Sequence, residues 1–168
     1  KSVAETSAFY AAIPDNPGRV NPAGQETQNL ISKAKADLGA TVVGVDDVYA
    51  QDVDVYAPCA LGATLNDVTI PQLKATVVAG AANNQLAEDR HAGDLKDRNI
   101  LYAPDYVINA GGVVYLYHQG PSFDKQKAFA HVGRIGDTLS KIFTRAAKDD
   151  VAPSIAADKV AEERFKAA

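Results

Sequence analysis

Three times in this chain an apolar run stops at a stretch of small residues. The stretches are Ala57-Pro58-Cys59-Ala60-Leu61-Gly62, Ala79-Gly80-Ala81-Ala82-Asn83-Asn84-Gln85-Leu86 and Tyr102-Ala103-Pro104-Asp105-Tyr106-Val107-Ile108-Asn109-Ala110-Gly111-Gly112. Small residues let a backbone come close to a ligand. Such turns, placed after parallel strands, share one sheet edge and form a binding crevice there. The runs that feed them suit strands. Val53 to Tyr56 alternates with Asp52 and Asp54, as near a sheet edge, whereas Ala75 to Ala79 is apolar without alternation, as in a strand covered on both faces. Ile100 to Tyr102 is a third, and the β-branched run Thr41 to Val45 reads as a further strand. Gln85 to Asn99, rich in charge, reads as a surface helix between two of them. Strand, helix, strand at this spacing predicts a parallel α/β sheet.

Helices frame this centre. Leu30, Ile31, Ala34 and Leu38 make a stripe that ends at Gly39, a natural helix stop. Ala128, Val132, Ile135, Leu139, Ile142, Phe143 and Ala146 recur at steps of three and four, which predicts a long amphipathic helix broken at Pro153. Ile155, Val160 and Phe165 then give a last helix its apolar side, with Glu162, Glu163 and Arg164 on the wet side. Residues 1–24 hold Pro14, Pro17, Pro22, Gly18 and Gly24 and read as a hinge or loop ahead of a 25–168 domain.

Composition excludes several classes. A net charge of -4 gives no broad attraction for nucleic acid or an anionic membrane, so neither partner is expected. No apolar run reaches the length of a membrane span, and no signal-peptide pattern opens the chain. A single cysteine cannot form an internal disulfide, which favours a reducing, cytoplasmic setting. Methionine is absent, even at position 1, so the expectation is a processed end or part of a longer polypeptide.

Each small-residue stretch carries two readings. Ala57, Pro58 and Cys59 suit a place beside a cofactor ribose or adenine, or a structural turn with a buried thiol. For Cys59 alone, burial is the better expectation, since no histidine or metal-ligand partner sits at a diagnostic spacing; no metal site is expected. Ala82, Asn83 and Asn84 put amides, each both donor and acceptor, where a carboxamide such as nicotinamide could pair; the other reading is that an Asn caps the next helix. Asn109 could meet an amino-acid ammonium or carboxylate, or serve as the N-cap of the helix that follows. Gly111 and Gly112 open a helix whose free N–H groups favour an anion, or they serve close helix–sheet packing. Val113 and Leu116 read, on spacing alone, as core. His91 and His131 read as surface residues, and His118 ends the pocket helix. Lys125, Lys127, Lys141 and Lys148 fall on the polar face of the long helix.

From about Leu38 onward these motifs, with Ile70-Pro71-Gln72-Leu73-Lys74-Ala75 and Ala161-Glu162-Glu163-Arg164, closely resemble the NAD-dependent amino-acid dehydrogenases (leucine, valine, phenylalanine and tryptophan types, related to glutamate dehydrogenase). The resemblance implies a truncated Rossmann-like α/β fold with C-terminal helices packed on a mostly parallel sheet, making 25–168 a partial dinucleotide-binding domain. It implies NAD as cofactor, lined by Ala57, Pro58, Cys59, Ala82, Asn83 and Asn84. It places an L-amino-acid substrate at Asn109, Gly111 and Gly112, with Val113 and Leu116 shaping a pocket for its branched or aromatic side chain. Relatives oxidatively deaminate such substrates and are homo-oligomers. A second, looser likeness to the family's hinge runs through Glu5-Thr6, Tyr10, Pro14, Gly18 and Asn21-Pro22, with Thr27 one place off the family's cofactor-binding threonine.

The departures are equally specific. No G-x-G-x-x-G occurs in the 168 residues, and such a turn is what cradles a pyrophosphate. No lysine stands in the family's glycine-flanked catalytic motif, so no catalytic residue is assigned. Tyr115 replaces a small polar residue, and His118-Gln119-Gly120-Pro121 replaces acidic ones. The expectation is part of such a dehydrogenase, inactive as this chain alone, completed by a remainder of the same enzyme. The rival is a non-catalytic descendant that binds a small ligand or acts as a scaffold. A third option is an oligomerisation module using the Leu139 and Phe143 face.

Overall fold

A computed structural model describes residues 22–166. The chain divides into two compact units, Lys1–Val53 and Asp54–Ala168. In the first, helix α1 (Pro22–Leu38) ends directly before Gly39. It starts earlier than the apolar stripe, so Pro22 and Gly24 lie in helix rather than hinge. Proline is well placed in a first helical turn, because its missing N–H would have no partner there anyway. The rest of the 1–24 hinge reading lies outside the described residues. Thr41 to Val45 is not a strand: it runs through loop into turn, without a ladder partner. A β-branched run becomes a strand only when a neighbour supplies its hydrogen bonds.

The second unit is built on a parallel sheet ordered β1 (Val55–Tyr56), β2 (Val77–Val78), β3 (Leu101–Tyr102). Val55 pairs with Val77 and Val77 with Leu101. The central strand is the apolar one, and Val78 and Tyr102 are fully enclosed. β1 lies at an edge with Val55 half exposed, as the Asp/Val alternation requires. Helix α2 (His91–Asp97) makes the crossover between β2 and β3. It is shorter than the 85–99 expectation, because Gln85 to Arg90 is drawn into turns by the sheet edge.

After β3 the chain is helical: α3 (Asp105–Ile108), α4 (Gly111–Tyr117), α5 (Lys125–Asp149) and α6 (Pro153–Lys166). The Asp124 carboxylate caps α5, accepting the N–H groups of Gln126 and Lys127. The predicted stripe of α5 faces inward, and Ile142 and Ala146 pack with Ala156 and Ala157 of α6 and with Val107 and Val160. Small alanines, rather than the expected Ile155 and Phe165, make the buried side of α6; both larger residues are exposed. The alanines of α6 are set against the larger Ile142 and Phe143 of α5.

Candidate functional site

The three small-residue stretches leave the C-terminal ends of β1, β2 and β3 and are bonded to one another. The Ala82 N–H donates to the Pro58 carbonyl at 2.9 Å, and the Ala81 N–H reaches the Cys59 thiol at 3.4 Å. Two glycines permit this approach. A methyl at Gly80 would overlap the Pro58 carbonyl and ring, and one at Gly62 would sit 2.8 Å from the Asn83 carbonyl. The first and second stretches are therefore in backbone contact, which leaves Cys59 exposed, not buried as its composition suggested.

The second stretch turns sharply. Asn84 adopts a left-handed φ of 52° and Ala63, which faces it, one of 56°. Such conformations cost energy in a non-glycine residue and persist only where neighbours hold them. Here the Ala63 N–H donates to the Asn84 carbonyl at 2.7 Å, and the Asn84 N–H donates to the Asp105 carboxylate at 2.6 Å. Asp105 also accepts the Tyr102 hydroxyl at 3.0 Å. Burial, with the adjacent carboxylate, holds the Tyr102 phenol well above the usual tyrosine range, so it stays a donor. Gln85, fully buried, donates to the carbonyls of Gly80 and Ala82 and closes the loop from beneath.

This anchoring delivers two side chains to one spot. Asn109, at the end of α3, donates its amide to the Asn83 side-chain carbonyl at 2.6 Å. The second and third stretches thus meet through the residues singled out from sequence. Neither Asn83 nor Asn84 caps α2, which begins seven residues later at His91. Ala57, Cys59, Asn83 and Asn84 are exposed along the edge, while Pro58 and Ala82 are buried behind them. Gly111 and Gly112 open α4, and Gly111 lies against Val132 and Ile135 of α5. Val113 and Leu116 are not core: they are 74% and 68% exposed. Spacing cannot tell an apolar face that packs within its own chain from one that is left open.

His91 also departs from expectation. It is 1% exposed, its Nδ1 accepting the Glu88 N–H at 3.0 Å and its Nε2 lying 3.4 Å from Asp67. Asp67, His91 and Asp94 converge, but Arg90 already occupies them, at 2.6 Å from Asp67 and 3.6 Å from Asp94. That guanidinium holds the Asp67 carboxyl below the usual carboxylate range. His131 is half-buried rather than on the surface. Asp105 is the residue that sequence reading passed over. Its signal was an acid directly after Ala103-Pro104, three residues from Tyr102, inside an otherwise apolar stretch.

No helix among the described residues is long and apolar enough to cross a membrane. The model of the Glutamate/Leucine/Phenylalanine/Valine dehydrogenase family matches residues 12–159. Leucine dehydrogenase of Bacillus cereus is 48% identical over 138 residues, covering 82% of this chain and 38% of the relative. Valine dehydrogenase of Streptomyces albus is 50% identical over 129 residues, covering 74% and 35%. The crystal structure of L-tryptophan dehydrogenase from Nostoc punctiforme superimposes with a TM-score of 0.81 at 42% identity, over 96% of this chain and 46% of that one. The chain spans little more than a third of the length of these curated relatives. The turns, the parallel sheet and the C-terminal helices are thus one continuous likeness, and the chain belongs to the Glutamate/Leucine/Phenylalanine/Valine dehydrogenase family.

Proposed function

We propose that this chain is the cofactor-side part of an NAD-dependent L-amino-acid dehydrogenase acting on a branched-chain or aromatic substrate, and that it is inactive by itself. The observation that carries this is the Asn83–Asn109 contact at the strand ends, beside the open face of Val113 and Leu116. The edge fits the nicotinamide end of NAD. Small residues at Ala57 and Cys59, backed by the buried Pro58 and Ala82, leave room for a flat ring and ribose, and Asn83 and Asn84 offer amides to a carboxamide. Bound NAD would take the substrate's α-hydrogen as hydride, with ammonia and a 2-oxo acid as products after water enters. Asn109 orients the amino-acid head group between Asn83 and the start of α4 at Gly111 and Gly112, while Val113 and Leu116 receive its side chain and exclude water. The other wall, the pyrophosphate-binding turn and the catalytic lysines belong to the remainder of the enzyme. The assembly is a cytoplasmic homo-oligomer whose partner is its small-molecule substrate, with neither nucleic acid nor membrane involved.

Titration of the chain with NAD, followed by amide NMR, tests this. Shifts confined to Ala57–Cys59 and Ala82–Asn84 at about 1 mM cofactor, an affinity of about 4 kcal/mol, are expected. Asn109→Ala should reduce them without unfolding the chain. Turnover of any L-amino acid by this chain alone would overturn its assignment as an inactive part. Absence of all cofactor shifts would favour the second reading, a non-catalytic homologue that binds a small ligand or acts as a scaffold. That reading is motivated by the lack of G-x-G-x-x-G in the sequence.

A further inference from the structure

α4 is lightly held. None of its residues is fully buried, and it begins with two glycines. Tyr115 meets Phe123 and Phe129 edge-on, at 5.4 and 6.3 Å between ring centres. Beyond that, its C-terminal end is tied to α5 by one polar contact: His118 Nε2 lies 3.0 Å from His131 Nδ1. The two imidazoles stand perpendicular, 5.2 Å apart, and the Tyr117 ring packs edge-on against both.

A direct imidazole–imidazole hydrogen bond needs one N–H and one lone pair. Neutral histidines supply both. A first added proton can be shared across the bond, but a second puts N–H against N–H and two positive charges at contact distance. We propose that His118 and His131 form a proton-operated latch, which holds α4 against α5 at neutral pH and releases it in acid. Release would move the face carrying Val113 and Leu116, so the latch would regulate the pocket wall; that consequence rests on the functional reading above, whereas the latch itself does not.

The charged or titratable groups facing His131 are Arg134 of its own helix, His118 at the C-terminal cap of α4, and the Tyr117 ring packed edge-on. Burial first, then Arg134 and His118, hold the His131 imidazolium below the usual histidine range. The sign follows. The unfolded chain takes up the proton at the ordinary pKa, about 6.5, before the folded chain does. The latched state therefore has its full stability above that pH and loses it progressively as pH falls through the folded value.

The test is hydrogen exchange on the α4 amides, expressed as protection factors, with NMR of the imidazole nitrogens, at pH about 7.5 and about 5. The wild type should lose protection across α4 severalfold between the two pH values, while α6 keeps its own. His118→Gln and His131→Gln, each checked for folding by circular dichroism, should abolish that step. An equal step in both variants, or none in the wild type, would overturn the latch. So would equimolar zinc shifting both rings at neutral pH, which would make the pair a metal clamp. None of these readings requires NAD, so a failed latch and a failed dehydrogenase assignment stay distinguishable.

Discussion

The turn-bearing edge of the sheet and helix α4 lie next to each other in sequence and were built by opposite rules. The edge is crossed by short bonds between stretches distant in sequence: Ala82 to Pro58, Ala63 to Asn84, Asn84 to Asp105, Asn109 to Asn83. Its strained φ values are sustained by those bonds. α4 has no fully buried residue and presents Val113, Leu116 and Tyr117 outward. One region is preorganised within this chain. The other leaves Val113, Leu116 and Tyr117 open, an apolar face that no described residue covers.

The edge is most vulnerable at Gly80. Gly80→Val should destabilise the second unit by about 3 kcal/mol, read from urea unfolding, because the side chain must displace the Pro58 backbone. A change below about 0.5 kcal/mol would mean that the stretches are not in rigid contact. Next in size is Asp105→Ala, expected to cost about 2 kcal/mol by stranding the Asn84 N–H and the Tyr102 hydroxyl. The Asn84 amide resonance should also move upfield as its carboxylate partner disappears. A smaller effect, about 0.5 kcal/mol of stability, is expected for Asn109→Ala, since that bond is exposed. Smallest of all, Leu116→Ser and Val113→Ser should leave stability unchanged to within about 0.5 kcal/mol. If either serine unfolds the chain, α4 is core after all and the contrast between the two regions collapses.

Particular residues show what could be read in advance. The small-residue stretches after the strands and the α5 stripe were legible because their signals are local: small residues where an apolar run stops, and a period of three and four. Asp105 was not, because its role depends on Asn84, twenty-one positions away. His91 looked like surface amid Glu88, Asp89 and Arg90, yet its ring fills the space beneath a turn. Thr41 to Val45 had strand chemistry and no partner strand. The His118–His131 pair was invisible as two histidines thirteen residues apart, and it exists because α4 folds back along α5.

Sequence alone determined the parallel α/β class, the three turns, the long amphipathic helix and the family likeness, because each is written in patterns shorter than about one element. Tertiary structure decided which apolar faces are closed and which stay open, which carboxylate anchors the crevice, and which two imidazoles share a hydrogen. Those depend on distances between segments far apart along the chain, and a periodic pattern records which face is apolar without recording what, if anything, covers it.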